Sequence, residues 1–486
     1  MGVAELAQLS LGHVKAEEES DDVRKYFITT PTYINATNES RRKTYYVGQR
    51  GAGKTALFNK LASDYKNKDK SIILQITPDD FSYERFNNAQ HNYSDMRAVY
   101  GTVWHYTLIT HMFAGVVDYY NQRPYIKANR YNVDTLRAYL KQKNAYPSTG
   151  FLGIFLRYFG EFTSNKDFNN ALKVGTGELR QDKYFSRLTS LADISDELNA
   201  FSNITDSYPV CLFIDELDTG WDNSKEATNF IHGLFYAVRE VKSLRNVKAF
   251  VSLRSDMYND LSSILPDPEK MREEIERFSW NPKTLQGLIA KRIIANYPLP
   301  DTTPFTEAIA TVFDEGVLDY IINHSLQRPR EVIEFCTAAL NEFSNQIYFD
   351  RTLNRISFDI VKAVEGDFSK NRYEDTCREY EHQYPDLHIF LLGFENGPKF
   401  YSMSDFKAKL EDVMLMAVYK LGVGSWLNNN FSPSKLVEIL YAIGFIKLYS
   451  QRADKYVAYY EETFLNVDSI SKVRIHEVFV PAMKCL

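Results

Sequence analysis

Cysteine is scarce in this chain. There are four cysteines among 486 residues, Cys211, Cys336, Cys377 and Cys485, and no two of them form a C-x-x-C pair. Such isolated cysteines predict neither a zinc ribbon nor a disulfide framework. They fit a protein of the reducing cytoplasm.

Long apolar runs are also missing. The longest, "VWHYTLITHMFAGVV" at residues 103–117, contains His105 and His111 and is shorter than the roughly 20 residues that span a membrane. It is typical of a buried helix. The acidic N-terminal stretch lacks the apolar core of a signal peptide. We therefore expect a cytoplasmic protein that does not enter a membrane.

An excess of positive charge is the third absence. Lys and Arg number 57 against 63 Asp and Glu, which gives a net charge of −6 at pH 7. No global basic field attracts nucleic acid, so any such contact has to come from a local patch. The length corresponds to roughly two to four domains.

Alternating strand and helix patterns are what the chain does contain. Apolar strand patterns at "KTYYVG", "KSIILQI", "YPVCLFID" and "NVKAFVSLR" are separated by helical patterns, which predicts a parallel α/β sheet. Helices follow from residue 283, and helices with a β-hairpin follow from about residue 375. We expect a lead-in at 1–40, a P-loop core at 41–282 with a helical insertion at about 84–205, a helical lid at 283–370 and a winged-helix-like domain at 371–486.

A phosphate-binding loop follows the first strand. The residues Gly48, Gln49, Arg50, Gly51, Ala52, Gly53, Lys54 and Thr55 match G-x-x-x-x-G-K-[ST]. Glycines let the backbone N–H groups approach phosphate oxygens, and the next helix adds its positive end. Lys54 is expected to reach the β- and γ-phosphates of ATP, and Thr55 to ligate Mg²⁺. Arg50 either has no role of its own in the loop or contacts the substrate.

Acidic residues follow the strand "VCLFID". Asp215 is placed to hold Mg²⁺, usually through water, and Glu216 to act as the general base that activates water. Asp218 and Asp222 are typical of a turn or helix cap, with Trp221 packed beneath. An acid in the position of Glu216 favours ATP hydrolysis over phosphoryl transfer to a small molecule.

The motifs together resemble a known family. "GQRGAGKT", "VCLFIDELDTGW", "FVSLRSD", "SWNPKTLQGLIAKRI" and "QRPREVIEFC" are similar to motifs of AAA+ ATPases of the origin-recognition/initiator type, including their prokaryotic relatives in defence and mobile-element loci. The likeness covers about residues 41–365 well and the remainder loosely. The closing "RIHEVFVPAM" also resembles the end of such proteins. The long insertion at about 84–205 departs from a minimal AAA+ core.

The resemblance implies further site residues. Ser252 and Arg254 stand where this family carries a sensor of the γ-phosphate, although a polar strand exit explains each equally well. Arg330 stands at the second sensor of the lid, which couples lid position to nucleotide state. Arg272 and Arg277 are alternative candidates for an arginine finger, or surface arginines of a helix.

The C-terminal region leaves its partner open. Lys435, Lys447, Arg452 and Lys455 are roughly balanced by nearby acids, so a DNA reader and a protein-interaction or oligomerisation module both fit.

The leading functional hypothesis is a Mg²⁺-dependent ATPase that acts as a nucleotide-driven switch in a nucleic-acid-related or antiviral defence process. The alternative is a slowly hydrolysing, nucleotide-gated scaffold that recruits or regulates a separate effector. A small-molecule kinase is a third hypothesis, and Glu216 argues against it. Expected partners are ATP and a second protein or another copy of the chain, with DNA contact through the C-terminal domain as an option.

Overall fold

A computed structural model of the chain describes residues 3–14, 23–41, 43–68, 70–77, 96–145, 150–164, 194–218, 221, 224–262, 268–421, 426–428, 432–463 and 465–486. The chain folds as two units. The sheet unit comprises residues 32–48 and 57–277, and the lid unit comprises residues 1–31, 49–56 and 278–486. None of the described helices has the length and apolarity that crossing a membrane requires.

A five-stranded parallel sheet is the centre of the sheet unit. Its strands are β1 (Tyr45–Gly48), β2 (Ile72–Ile76), β3 (Val210–Ile214), β4 (Val247–Arg254) and β5 (Ile275–Arg277). Their order is β2-β3-β4-β1-β5, and every pairing is parallel. The predicted α/β fold with a parallel sheet is confirmed. In this order β4 lies between β1, which leads into the phosphate loop, and β3, which is followed by the acids Asp215 and Glu216.

Helices cover both faces of this sheet, as a buried parallel sheet requires. On one face, Phe58 of α4 (Lys54–Lys68) lies 5.4 Å from Phe213 and 5.6 Å from Tyr46, measured between ring centroids. The other face belongs to a core that includes α5 (Met96–Asn121) and α9 (Lys225–Lys242). The apolar run at residues 103–117 lies within α5 and is largely buried, as predicted.

The expected insertion at about 84–205 is helical where the structure describes it. It contains α5, α6 (Arg130–Gln142), α7 (Phe151–Ser164) and α8 (Ser195–Thr205). Parts of the insertion lie outside the described residues. Short helices α10 (Ser255–Ser262) and α11 (Pro268–Glu274) connect β4 to β5.

The lid unit begins with a bundle of helices. These are α12 (Pro282–Asn296), α13 (Phe305–Val312), α14 (Val317–Asn323), α15 (Pro329–Gln346) and α16 (Phe358–Glu379). Pro282 and Pro329 are the first residues of α12 and α15, where a missing N–H costs nothing. The boundary expected near residue 370 falls inside α16, and the apolar core continues from the bundle into the C-terminal region.

The N-terminal segment differs from the loosely docked lead-in that the sequence predicts. After α1 (Val3–Leu6), the side chains of Leu6, Leu9 and Leu11 are buried in the core of the lid unit. Arg292 donates to the carbonyl oxygen of Leu11 at 2.5 Å, and the Ser344 hydroxyl donates to that of Ala7 at 2.7 Å. Spaced leucines anchor this segment in that core. Two further short helices follow, α2 (Val23–Tyr26) and α3 (Pro31–Thr37).

The C-terminal region combines helices with a small antiparallel sheet. Its helices are α17 (Leu387–Leu391), α18 (Met403–Leu421) and α19 (Pro433–Ala442), and its strands are β6 (Phe400–Ser402), β7 (Ile446–Ser450), β8 (Lys455–Val457) and β9 (Lys472–Ile475). The sheet order is β6-β9-β7-β8. The hairpin of β7 and β8 matches the predicted one, and the helix α19 runs into β7 through Gly444.

Candidate functional site

The phosphate loop has the local structure that its sequence requires. It leaves β1 at Gly48 and enters α4 at Lys54. Gly51 has φ +76° and Gly53 has φ +87°, backbone conformations in which glycine is favoured. The amide of Ala52 donates to the Gln49 carbonyl at 3.2 Å, and Lys54 Nζ donates to the same oxygen at 3.0 Å. Strand, turn and helix are therefore arranged as an anion-binding loop.

Residues at the starts of the lid helices α12 and α15 contact this loop. Trp280 Nε1 donates to the carbonyl oxygen of Ala52 at 2.9 Å. Arg328 Nε donates to Gln49 Oε1 at 3.2 Å. A Cβ atom added at Gly51 would lie 3.3 Å from Cβ of Arg330. The structure thus brings the lid residue expected as the second sensor directly against the loop.

A cavity of about 240 Å³ lies beside the loop within the lid unit. Its lining includes five arginines, Arg50, Arg328, Arg330, Arg372 and Arg378, and four acids, Glu331, Glu334, Asp375 and Glu379. The acids bind mainly the two buried arginines: Glu379 lies 2.8 Å from Arg328, and Glu334 lies 2.7 Å from Arg372.

Two cations of this cavity are available to a ligand. Among the described residues, no carboxylate lies within ion-pair distance of Arg50 or Arg330. Arg50 is exposed, and Arg330 is half-buried beside Gly51. Guanidinium groups in this position suit the oxygens of a phosphate chain.

The acidic strand end lies in the sheet unit. Asp215 directly follows β3 and is buried, and its amide donates to the carbonyl oxygen of Ile76 at 3.0 Å. Asp215 Oδ1 accepts the amide of Glu216 at 2.9 Å. Glu216 has φ +58°, a left-handed conformation that is unusual for a residue with a side chain. This local strain at a candidate catalytic acid is typical of functional sites.

The turn after Glu216 is partly described. The amide of Trp221 donates to the Asp218 carbonyl at 3.2 Å, and the Trp221 side chain is buried, as the sequence suggests. Asp222 lies outside the described residues. The cap of α9 is Ser224, whose hydroxyl accepts the amide of Ala227 at 3.1 Å.

The expected sensor residues lie on β4, between the two other strands. Gly48 is in register with Arg254, Tyr46 with Ser252, and Ile214 with Val251. Because side chains alternate along a strand, Ser252 and Arg254 share the β4 face of Phe250, which contacts Phe58 of α4 at 6.4 Å between centroids. Both residues are buried.

Arg254 has a partner that the sequence did not suggest. Its Nε donates to Asp256 Oδ1 at 2.6 Å, and its Nη2 pairs with the other oxygen of the same carboxylate. The candidate finger residues are both exposed: Arg272 lies on α11, and Arg277 ends β5 with its guanidinium 4.9 Å from the Tyr258 ring centroid.

The donor set fits ATP with Mg²⁺. The loop offers backbone N–H groups, Lys54 and nearby arginines for phosphate, while the Thr55 hydroxyl and Asp215 carboxylate are hard oxygen donors that suit Mg²⁺. Among the residues that the structure describes, no group of three or more His, Cys, Asp or Glu forms a metal cage. Magnesium at a nucleotide site does not require one, because it keeps waters and binds the phosphates.

Sequence reasoning missed Trp280, Arg328, Glu379 and Asp256. Trp280 and Arg328 lie inside the motifs "SWNP" and "QRPR", so the signal was present, but it did not indicate their contacts. Asp256 is the last residue of the motif "FVSLRSD", but the motif did not indicate its salt bridge with Arg254. Glu379 lies in none of the quoted motifs and is found only through its partner Arg328.

Comparison with known proteins gives three kinds of similarity. Residues 283–377 match the model of the FunZ-associated C-terminal helical domain. The chain is 22% identical over 471 residues to the "Putative transposon gamma-delta 80.3 kDa protein" of Escherichia coli (strain K12). That alignment covers 92% of this chain and 62% of the relative, so the chain spans about three fifths of the relative's length.

Two solved structures are also similar. The Aeropyrum pernix ORC2 protein, solved as ADPNP-ADP complexes, has a TM-score of 0.40 and 12% identity, covering 93% of this chain and 88% of its own. Cdc6p from Pyrobaculum aerophilum has a TM-score of 0.30 and 12% identity, covering 100% and 98%. The fold described above rests on the strand order and connections of this chain itself.

Proposed function

We propose that this chain binds ATP with Mg²⁺ and hydrolyses it, using the nucleotide as a conformational switch. The observation that carries the proposal is the phosphate loop, with positive φ at Gly51 and Gly53 and with Arg330 against it. Lys54 binds the phosphates, and Asp215 and Thr55 hold the metal. A magnesium ion held there would supply neutralisation of the charge that develops on the phosphates.

Within this proposal Glu216 orients and deprotonates the attacking water. Its positive φ is a strained backbone conformation at the end of β3. Ser252 and Arg330 respond to the γ-phosphate. Asp218 shapes the turn after Glu216.

Steady-state phosphate release and ATP titration test these roles. Lys54→Ala is expected to abolish ATP binding, whereas Lys66→Ala, an exposed change on the same helix, retains it. Glu216→Gln is expected to bind ATP and lose turnover, and Asp222→Asn to retain most of it. ATP binding that survives Lys54→Ala would contradict the assignment of the loop.

One observation favours the scaffold alternative with slow hydrolysis. Arg254 is engaged by Asp256, so its charge is partly neutralised at the strand end. Under this alternative, wild-type turnover is very slow although ATP binds tightly, and Asp256→Asn raises the rate. Rapid wild-type turnover that Asp256→Asn does not increase excludes the alternative.

We also propose that the switch serves a nucleic-acid-related or defence process. Support comes from the FunZ-associated match at residues 283–377 and from the relative named as a transposon protein. The test is phosphate release with and without DNA, with Arg452→Glu and Lys455→Glu, changes at two exposed residues, as variants of the C-terminal region. Lys447 does not serve this test, because it is buried and lies 2.7 Å from Glu477. Stimulation that these variants abolish supports DNA contact there. A protein partner or self-association predicts instead that a pull-down under ATP with Glu216→Gln retains a second chain.

A further inference from the structure

Arg328 joins the phosphate loop to the far end of α16. The residue caps α15 and is only 7% exposed. Its Nε donates to Gln49 Oε1 at 3.2 Å, and its Nη1 donates to Glu379 Oε2 at 2.8 Å. Glu331 Oε1 lies 3.6 Å from Nε. Glu379 is the last residue of α16 and is also buried.

The buried charge makes this arrangement sensitive to any missing partner. Burial lowers the pKa of the Arg328 guanidinium, but Glu379 and Glu331 outweigh burial and raise it above its ordinary value. A buried arginine remains charged, and its acidic partners offset the free-energy cost of removing that charge from water. Removing one partner therefore leaves an uncompensated charge. If the bond to Glu379 is lost, the Arg328 guanidinium therefore needs another hydrogen-bond acceptor.

Arg328 differs in role from its neighbour Arg330. Arg330 lies against Gly51, and no carboxylate of the described residues lies within ion-pair distance of it, so its guanidinium can bind a ligand. Acids bind Arg328 on one side and the Gln49 side chain binds it on the other, through its Nε and Nη1 atoms. Its Nη2, which is buried, finds no hydrogen-bond acceptor in the described part of the chain.

We propose that Arg328 is a positioning residue that sets the phosphate loop through Gln49, and that Glu379 holds Arg328 in place for this task. Nucleotide affinity then depends on an acid at the end of α16 that does not itself bind nucleotide. The converse follows from linkage: nucleotide binding biases the end of α16, and with it the start of the C-terminal region. This inference rests on the proposed ATP binding and extends it to a path between loop and C-terminal region.

A double-mutant cycle on ATP affinity tests the inference. Glu379→Gln is expected to weaken ATP binding by roughly fivefold or more, in the range of typical coupling. In a Gln49→Ala background the same substitution is expected to have no further effect, because its path to the loop is already cut. Glu374→Gln, a change on a more exposed acid of α16, is the matched control and leaves ATP affinity unchanged in both backgrounds.

The outcomes separate the possible failures. If Glu379→Gln lowers only the melting temperature, or weakens ATP binding equally in both backgrounds, Arg328 has a structural role and the inference is wrong. The conservative variant Arg328→Lys adds a second measurement. It retains the charge but not the fork that reaches Gln49 and Glu379 together, and is expected to weaken ATP binding as Glu379→Gln does. If the wild-type chain binds no ATP, the proposed function fails first and the inference falls with it.

Discussion

At the scale of single residues, Glu216 combines an unfavourable backbone with a proposed chemical role. Its φ of +58° disfavours any residue with a Cβ atom. We therefore expect Glu216→Gly to be more stable than Glu216→Ala by roughly 1 kcal/mol, while both lose turnover. Urea unfolding and phosphate release measure the two effects. The same pair of substitutions at Glu240, inside α9, should give the opposite order of stability, because glycine disfavours a helix.

A second residue-scale prediction concerns His476. The ring is fully buried, with Nε2 3.0 Å from the Tyr460 hydroxyl and Nδ1 accepting the Val478 amide at 3.2 Å. Burial, followed by Lys447 and other nearby cations, lowers its pKa well below the ordinary value. In the unfolded chain a histidine titrates near pH 6.5, so below that pH the unfolded state binds more protons.

The free energy of unfolding should therefore fall as pH drops below about 6.5, by up to about 1.4 kcal/mol per pH unit for this histidine. His476→Gln should reduce that slope. Urea unfolding between pH 7 and 5 measures it, because an ordinary histidine titrates in this range. His382→Gln, the same substitution at an exposed position, is the control for the effect of the change itself on stability at pH 7. An unaltered slope in His476→Gln would mean that the ring is protonated in the folded protein.

At this scale the sequence predicted the residues with a motif but not their partners. The positive φ of Gly51 and Gly53 follows from a loop that must turn tightly around phosphate. Arg254 and Asp256 are separated by a single serine, at which a helix begins. No sequence pattern at these residues indicated the salt bridge between them. The contact of Arg328 with Gln49 joins residues that only folding brings together.

At the scale of elements, the crossing of α5 and α9 depends on one small residue. A Cβ atom at Gly233 would lie 2.7 Å from backbone atoms of Tyr100 and Gly101, closer than packed atoms approach. Gly233→Ala should therefore destabilise the sheet unit by roughly 1–3 kcal/mol, measured by urea unfolding. Gly160→Ala on α7, where nothing lies within 4 Å of the added atom, should instead be neutral or slightly stabilising. Equal free energies of unfolding for the two variants would mean that α5 and α9 move apart at little cost to accommodate the added methyl group.

Elements were predictable where the pattern is long. β2, β3 and β4 bury most of their residues, and their apolar runs identify them without the structure. β5, β6 and β9 have only three or four residues, too few to show a period, and the sequence did not indicate them. The N-terminal leucines were missed for a related reason, since leucines at positions 6, 9 and 11 are too few to show a helical period.

At the scale of the whole molecule, the sequence predicts a core that contains the phosphate loop and a separate lid. In the structure, residues 49–56 of the loop belong instead to the same unit as residues 278–486. The hydrogen bonds from Trp280 and Arg328 explain this division. No local pattern at the loop could reveal it, because both donors lie far along the chain.

This organisation predicts how ATP changes the stability of the lid unit. A ligand that binds only the folded loop, at a hundred times its Kd, stabilises by about 2.7 kcal/mol. Because the loop is bonded to the lid helices, amide hydrogen exchange should slow not only at residues 49–56 but also in α12, α15 and α16. Lys54→Ala should abolish this protection, and Lys66→Ala should retain it. Protection confined to residues 49–56 would show that the loop binds nucleotide independently of the lid, and the contacts of Trp280 and Arg328 would then have no part in the response.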